Sequence, residues 1–588
     1  MKKLSRPAVG LFATSSLVIG ACGLIFSSSS AISQSAAPAA ACPGDNGGIT
    51  LSPGFCATIF ADNIGHVRHM SFAPNGVLYL NTWSGRYFRY DTPPAGGFVL
   101  ALKDSNGTGK ADVIERFGDG VPEGSAGGSG VAFYNGAVYA EQNDKILRYT
   151  IPEGSIVPKD KPEVVVSGLP LTGDHPMHPF VVDPKGNIYV DVGSATNSCQ
   201  TDNRKTGALG IDPCVEQETR AGTWRYDANK TGQQFSPAER FVTGLRNGEG
   251  LSFDANGKLY ATQHGRDQLS QHFPALYKAA QAAELPAEEV VQENQGDDFG
   301  WPRCYFDGFQ KKLVLAPEYG GDGGKAVGIC AEKKAPVAAF PAHWAPNDLL
   351  VYTGKAFPAA YQGGLFVAFH GSWNRAPAVQ GGYNVVFQPM KDGKTTGDYV
   401  VFADGFAGAI KEPVRAAYRP GGLAMGPDGA LYIADDQKGR IWRVTYHGGA
   451  DARIAPAPAP KVIPVAAIDK LPDVSELPVP AGATREQLVM GDKIFHGQMS
   501  DGTCLGCHGS DAKGTPQGPS LVSGNFVQGA GGQGSDSLQA ITKFITEGVA
   551  KPRNFSDAMP PRGGAPLSDA DVAAVAAYVW AISHPKGT

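Results

Sequence analysis

The chain has 588 residues, with 51 Lys+Arg against 56 Asp+Glu and a formal net charge of −5. This mildly acidic balance leaves no basic footprint for nucleic acid, which is excluded as a partner. The length favours one large domain with a smaller one, and 77 glycines with 44 prolines suit a loop-rich β fold better than a helical bundle.

In chain order, Lys2, Lys3 and Arg6 precede an apolar run from Ala8 to Phe26, and small residues follow, with Ala31-Ile32-Ser33 as a cleavage site. This is the pattern of an export signal over residues 1–35. Two variants stand beside it. Ile19-Gly20-Ala21-Cys22 resembles a lipoprotein box that would lipidate Cys22, and the apolar run is long enough to serve as an uncleaved anchor. The expected location is periplasmic or exported, with membrane anchoring through the N-terminus as the variant. Six of the cysteines fall into local pairs: Cys42 with Cys56, Cys199 with Cys214, and Cys304 with Cys330. Disulfides with this connectivity, the simplest of those open to six cysteines, fit an oxidising compartment.

Residues 36–450 carry a loose repeat of strand, glycine turn and strand. It shows at Met70–Tyr79, Phe180–Tyr189, Leu251–Tyr260 and Leu423–Tyr432, with weaker copies at Val131–Tyr139 and Phe357–Phe369. The Asn-Gly and Asp-Gly steps are hairpin turns. Six copies that cannot bury their faces alone predict a six-bladed β-propeller; an irregular β-sandwich is the alternative. Within the first repeat, Asp104, Asn106, Thr108, Asp112 and Glu115, with Gly109 and Gly107 between them, have the spacing of an EF-hand-like loop. They are expected to hold a second, structural calcium that pins an insertion between blades; the alternative is a solvated Asx-rich turn.

Residues 451–482, with Ala-Pro repeats at 455–460, read as a stiff linker. Residues 483–588 follow as a small all-α domain, with helical periodicity over Arg485–Phe495 and Asp569–Ile582 and Ser568 as an N-cap. Its centre is Cys504-Leu505-Gly506-Cys507-His508. A Cys-x-x-Cys-His run attaches haem c through both thiols and brings the histidine to the iron. His508 is the expected proximal ligand and Met559, in Ala-Met-Pro-Pro, the distal one. His496 is an alternative, and Met490 and Met499 are expected to be packing residues. The order helix, haem motif, loop, Met-Pro and terminal helix resembles class I cytochromes c. Met/His ligation suits a haem that accepts electrons.

Six strings occur in the propeller region: Gly173-Asp174-His175, Gly193–Cys199, Gly244-Leu245-Arg246-Asn247, His264-Gly265-Arg266-Asp267, Asp298–Pro302 and His370-Gly371-Ser372-Trp373-Asn374-Arg375. Together they resemble the quinoprotein glucose/sorbosone dehydrogenases, which bind pyrroloquinoline quinone (PQQ) and calcium on a six-bladed propeller. The resemblance covers roughly residues 50–446. It implies His175 as the catalytic base, with His178 as a rival, Asp174 orienting the sugar, and Arg246 at the reacting centre. It further implies PQQ contacts from Arg68, Arg246, Asn247, His370, Trp373, Asn374, Arg375 and Arg419, because guanidinium forks match the cofactor's carboxylates. Calcium would sit on the backbone carbonyls of Gly265 and Arg266 and polarise a quinone carbonyl. The stretch Gln268–Gln295 departs from simpler relatives as a partly helical insertion at the substrate mouth.

The expected fold is thus mainly β, a six-bladed propeller followed by a small all-α cytochrome c domain. The expected activity is dehydrogenation of a small sugar, or a related alcohol or aldehyde, at PQQ. Electrons would go to the fused haem and then to a soluble cytochrome or the respiratory chain. Two other classes stay open: a calcium-dependent propeller hydrolase, and a non-catalytic binding propeller with an electron-relay haem.

Overall fold

The computed structural model describes residues 42–83, 95–118, 127–376, 378–413, 415–449, 453–460, 473–500, 502–515, 517–522, 537–549 and 559–584. The export signal with Cys22, and the linker over 461–472, lie outside the described residues. No described helix is long and apolar enough to cross a membrane.

Six antiparallel sheets form the blades. Blade 1 runs over 70–117, blade 2 over 131–167, blade 3 over 180–243, blade 4 over 251–340, blade 5 over 346–404 and blade 6 over 420–446. The repeated turn explains their likeness. In blade 1 the Gly76 amide donates to Ala73 O and the Ala73 amide to Val77 O, and the same pair recurs at 183–187, 254–258 and 426–430. Each turn is three residues long and ends on glycine at φ of 76° to 86°, a conformation that a Cβ would strain. Blade 2 differs: Asn135 and Gly136 both have positive φ and close the two-residue turn that the Asn-Gly step predicts.

The ring closes through its first strand. Phe55–Ala61 pairs with Ile441–Tyr446 as the outer strand of blade 6, and Thr50–Leu51 adds to blade 5. Phe55 meets Phe357, Tyr361 and Phe402 edge-on at 4.8–5.0 Å, which ties the closing strand to blade 5 by burial and aromatic geometry together. The Cys42–Cys56 bond anchors the segment leading into it, and Cys199–Cys214 and Cys304–Cys330 are also bonded.

Two expectations change here. Only the first part of Gln268–Gln295 is an insertion: it holds the short helices α1 (Leu269–His272) and α2 (Ala279–Ala282). Glu288–Glu293 is instead the third strand of blade 4, paired with Leu259–Gln263 and Ala338–Phe340, and its alternation hid beneath three glutamates. Asp104–Glu115 does not join two blades; it begins as the loop between the third and fourth strands of blade 1. Asp104 there accepts from the Thr108 and Gly109 amides and Asp112 from Ser105 and Asn106. Glu115 is exposed on the outer strand opposite Ala101.

The C-terminal region is helical: α3 (Arg485–Phe495), α4 (Cys504–His508), α5 (Leu538–Glu547) and α6 (Asp569–Ser583). Capping boxes start α3 (Thr484 with Gln487) and α6 (Ser568 with Asp571), satisfying amides that the first turn leaves free. The two helices cross at Gly491, where a Cβ would fall 2.1 Å from the Ala574 carbonyl oxygen. Propeller and helical region lie within one compact unit, residues 39–588.

Candidate active site and haem cavity

Loops within blades 3, 4 and 5, together with the link from blade 3 to blade 4 that carries Arg246, converge on Asp267. Its carboxylate accepts from Arg246 at 2.8 Å, Arg204 at 3.0 Å and Asn374 at 2.8 Å. Burial pushes this carboxyl up, but Arg246 and Arg204 outweigh it and hold it well below the usual range. Arg204 also forks onto Asp174 at 3.0 and 3.1 Å. The Arg246 guanidinium is buried and donates to Asn197 O, Asn197 Oδ1 and Gly265 O.

His175 stands beside this cluster, buried, with Nδ1 2.9 Å from Ser194 O. A carbonyl only accepts, so Nδ1 carries the proton and Nε2 the lone pair. Burial, then the Arg246 charge, lower its pKa to about 3, so the ring is neutral. His178 is different. Its Nδ1 faces Glu141 Oε1 and its Nε2 faces Pro170 O, both at 3.0 Å, inside a fully buried setting. Neither nitrogen is left for a substrate. Asn247 presents a buried Oδ1 with no hydrogen-bond partner. That atom lies where a Cβ on Gly193 would come within 2.7 Å.

The other expected residues separate into two groups. Arg68, His370 and Arg419 form a network of their own: Arg68 and His370 both bond Asp436, at 3.1 and 2.7 Å, and Arg419 donates to the His370 and Gly371 carbonyls. Arg375 reaches the insertion, with donors on Ala283 O, Ala342 O, Val379 O and Glu284. The Arg266 side chain binds Glu318, His272 and the Asp267 carbonyl. Sequence reasoning gave no role to Arg204, Asp267, the half-buried His264 or the buried His343. Arg204 lies in an irregular loop closed by Cys199–Cys214, where no periodicity points inward.

Beneath the helical region lies an apolar cavity of about 180 Å³, lined by Cys504, Cys507, His508, Phe544, Met559 and Val575 among others. His508 Nδ1 donates to Pro519 O at 2.9 Å, which leaves Nε2 for a metal; burial lowers its pKa and keeps it neutral. Met559 lines the same cavity, held by paired backbone bonds to Val549. His496 has both nitrogens engaged, by Asp492 O and Ser510 O. Met490 packs on the helical core, whereas Met499 is 40% exposed and packs little. An apolar slot with two thiols, a free imidazole nitrogen and a thioether fits haem c.

Residues 49–447 match the family model described as TrAA12-like. The chain belongs to the TrAA12-like family. Residues 497–579 match the model described as cytochrome C oxidase, cbb3-type, subunit III, so the TrAA12-like propeller is followed by a cytochrome c domain. The chain is 26% identical over 243 residues to the pyrroloquinoline quinone-dependent pyranose dehydrogenase of Coprinopsis cinerea, across 35% of this chain and 31% of that protein; it therefore spans about a third of that enzyme's length. Two solved structures share the fold. A Carbohydrate-Active Enzymes Family AA12 protein from Trichoderma reesei superposes with a TM-score of 0.53 at 19% identity, covering 68% of this chain and 98% of that one. The PQQ domain of the Coprinopsis cinerea enzyme does so with a TM-score of 0.51 at 18% identity, covering 68% and 97%. A TrAA12-like propeller joined to a cytochrome c domain supports an oxidoreductase that transfers electrons through haem.

Proposed function

We propose that this chain is an exported dehydrogenase that oxidises a sugar, or a related alcohol or aldehyde, at PQQ in the propeller mouth. Electrons would leave through the fused haem to a soluble cytochrome or the respiratory chain. The observation that carries the reading is His175: a buried, neutral imidazole with its tautomer fixed by Ser194 O and its Nε2 lone pair free, beside a cluster of guanidinium groups. That is the arrangement a general base needs.

The donor set fits an anionic quinone. Arg246 has one Nη1 N–H beyond its bonds to Asn197, Gly265 and Asp267. Arg204 adds its charge while held by Asp174, Asp267 and Gln268, and the orphaned Asn247 Oδ1 can accept an N–H or bind a cation. Calcium belongs to the proposal, with the Gly265 and Arg266 carbonyls and Asn247 Oδ1 as oxygen donors. When bound, PQQ would supply the electrophilic carbonyl that accepts hydride. His175 Nε2 would take the hydroxyl proton, Ser194 O would hold the ring in place as it becomes charged, and Asp174, fixed by Arg204, would orient the substrate. Arg375 acts as a latch on the insertion, since it bonds Ala283 O and Glu284 there and, among the described residues, bonds no member of the Asp267 cluster. The three disulfides support an exported protein. The domain boundaries are proposed as 36–450 for the propeller, 451–482 for the linker and 483–588 for the cytochrome. A hydrolase is disfavoured because the mouth carboxylates Asp174 and Asp267 are both committed to arginines.

The test adds PQQ and calcium to the purified haem-loaded protein and follows haem absorbance across a panel of aldoses and alcohols. Reduction that needs PQQ, calcium and one substrate class supports the reading. A haem reduced by dithionite but by no substrate, with no measurable PQQ binding, overturns it.

A further inference from the structure

Among the described residues, the cytochrome domain touches the propeller at two places. At the first, Gly506, between the two haem-binding cysteines, sits so close to Trp373 that a Cβ would lie 3.0 Å from the Trp373 carbonyl oxygen, and a Cβ on Gly564 would lie 2.4 Å from Gln271 Cγ. Gln268, Gln271, Trp373 and Asn374 consequently line the haem cavity together with the cytochrome's own residues. At the second, Arg415 donates to Ser510 Oγ at 2.5 Å and lies 3.5 Å from Asp511, while the Ser510 amide donates to Glu412 at 3.3 Å. Arg415 and Glu412 pair with each other at 3.5 Å. His496 bonds Ser510 O and links this patch to α3. From the first patch, Asn374 reaches the opposite way, to Asp267 and so to Arg246.

We propose that electrons cross from propeller to haem in this docked arrangement, through the loop Trp373–Asn374, with no swing of the cytochrome domain on its linker. Glu412 and Arg415 with Ser510 and Asp511 are the clamp that holds it. The inference rests on the functional reading above and deepens it. Three features favour a fixed dock over a transient one. The clamp side chains of Arg415, Glu412 and Asp511 are only 17%, 15% and 10% exposed, so salt screens them far less than it screens the surface charges of a transient encounter. Glycines, Gly506 and Gly564, stand at two close approaches where a Cβ would crowd Trp373 or Gln271. The haem cavity is completed by propeller residues, so undocking would open an apolar slot to water. Two electrons from one substrate cross in two steps. Each turns ferric haem ferrous, and an external one-electron acceptor reoxidises it between them. The hydroxyl proton leaves by way of His175, and the hydrogen transferred as hydride is released to solvent as a second proton once its two electrons have passed on.

The test uses the full-length holoprotein and the variants R415E, D511R and R415E/D511R. Small-angle X-ray scattering reads docking independently of substrate, and stopped-flow absorbance reads substrate-driven haem reduction. R415E should increase the radius of gyration and slow substrate-driven reduction on the order of ten-fold or more, with the haem spectrum and dithionite reduction unchanged. The double variant should reverse both effects by restoring the pair with inverted sign. Reduction in the wild type should be independent of solvent viscosity. An expanded R415E protein with an unchanged rate, or a wild-type rate that falls in proportion to viscosity, would overturn the docked route; a compact R415E protein with an unchanged rate would overturn the clamp. A wild-type haem that no substrate reduces would instead remove the functional reading, a separate result.

Discussion

Asn374 donates to Asp267 across 2.8 Å, and so joins the loop that walls the haem cavity to the carboxylate that holds Arg246. Asp267 is therefore the keystone of the mouth. Asp267→Asn leaves the buried Arg246 guanidinium without its ion-pair partner, while Arg204 keeps Asp174. Breaking a buried pair from one side costs about 3–5 kcal/mol, and the Asp267 side chain is only 14% exposed, so little of that is screened. The expected outcome is a lower midpoint in chemical denaturation and a weakened PQQ affinity by calorimetry. A variant with wild-type stability would mean that Arg246 finds another partner.

The two neighbouring histidines should separate cleanly. His175→Gln keeps polarity but removes the basic lone pair, and should lower kcat about 10²–10⁴-fold with little change in melting temperature. His178→Gln strips the partner from the buried Glu141 carboxylate, whose pKa is held down against burial by the His178 ring. It should cost stability first and turnover only through unfolding. Equal losses of kcat at equal stability would reverse the assignment in favour of His178.

Much of this was legible in the residues. Asn135-Gly136 and the three-residue turns ending at Gly76, Gly186, Gly257 and Gly429 mark five hairpins locally; the sixth copy, expected over Phe357–Phe369, is strand only from Leu365, and its partner is Pro346–Val351 upstream. Cys504–His508 and Met559 were legible as candidates for the same reason, since the motifs are written in a few adjacent letters, and the fold brings Cys504, Cys507, His508 and Met559 to one cavity. The strand Glu288–Glu293 was not, because three glutamates sit where a buried strand should be apolar. The hairpin pairing Cys304–Asp307 with Lys312–Leu315 was missed as an excursion from blade 4. The direction of a long side chain was illegible too: Arg375 lies one residue from Asn374 and points to the insertion instead of the Asp267 cluster. Docking contacts such as Glu412 with Ser510 or Gln271 with Gly564 join positions remote in sequence, and no local pattern announces them.

Met559 as distal ligand makes a spectroscopic prediction. Methionine opposite histidine raises the haem potential, so Met559→His should lower the midpoint potential in a redox titration and abolish the sulfur-to-iron absorption band, while Met490→Leu and Met499→Leu leave both in place. An unaltered band in Met559→His would place the sulfur elsewhere.

The buried strand of glutamates should set the alkaline edge of stability. Burial raises Glu288, Glu289 and Glu293 each to about 8, from an ordinary 4.5. Between those values the folded state holds protons that the unfolded state releases. The contribution of each group is fully present below about 4.5 and is lost as pH rises through about 8. On the acid side the buried imidazoles act with the opposite sign. His175 and His264, lowered to about 3 from 6.5, stay neutral when folded and protonate on unfolding, so below pH 6.5 they offset part of the loss from the three glutamates. Urea unfolding from pH 5 to 9 should therefore trace a curve that falls gently up to about pH 6.5 and more steeply along an alkaline limb up to about pH 8. Glu289→Gln, a neutral residue of the same shape, should flatten its alkaline limb and stabilise the protein at pH 8 by on the order of a kcal/mol or more. An unchanged alkaline slope in that variant would show that Glu289 is ionised in the folded protein with a counter-charge beside it.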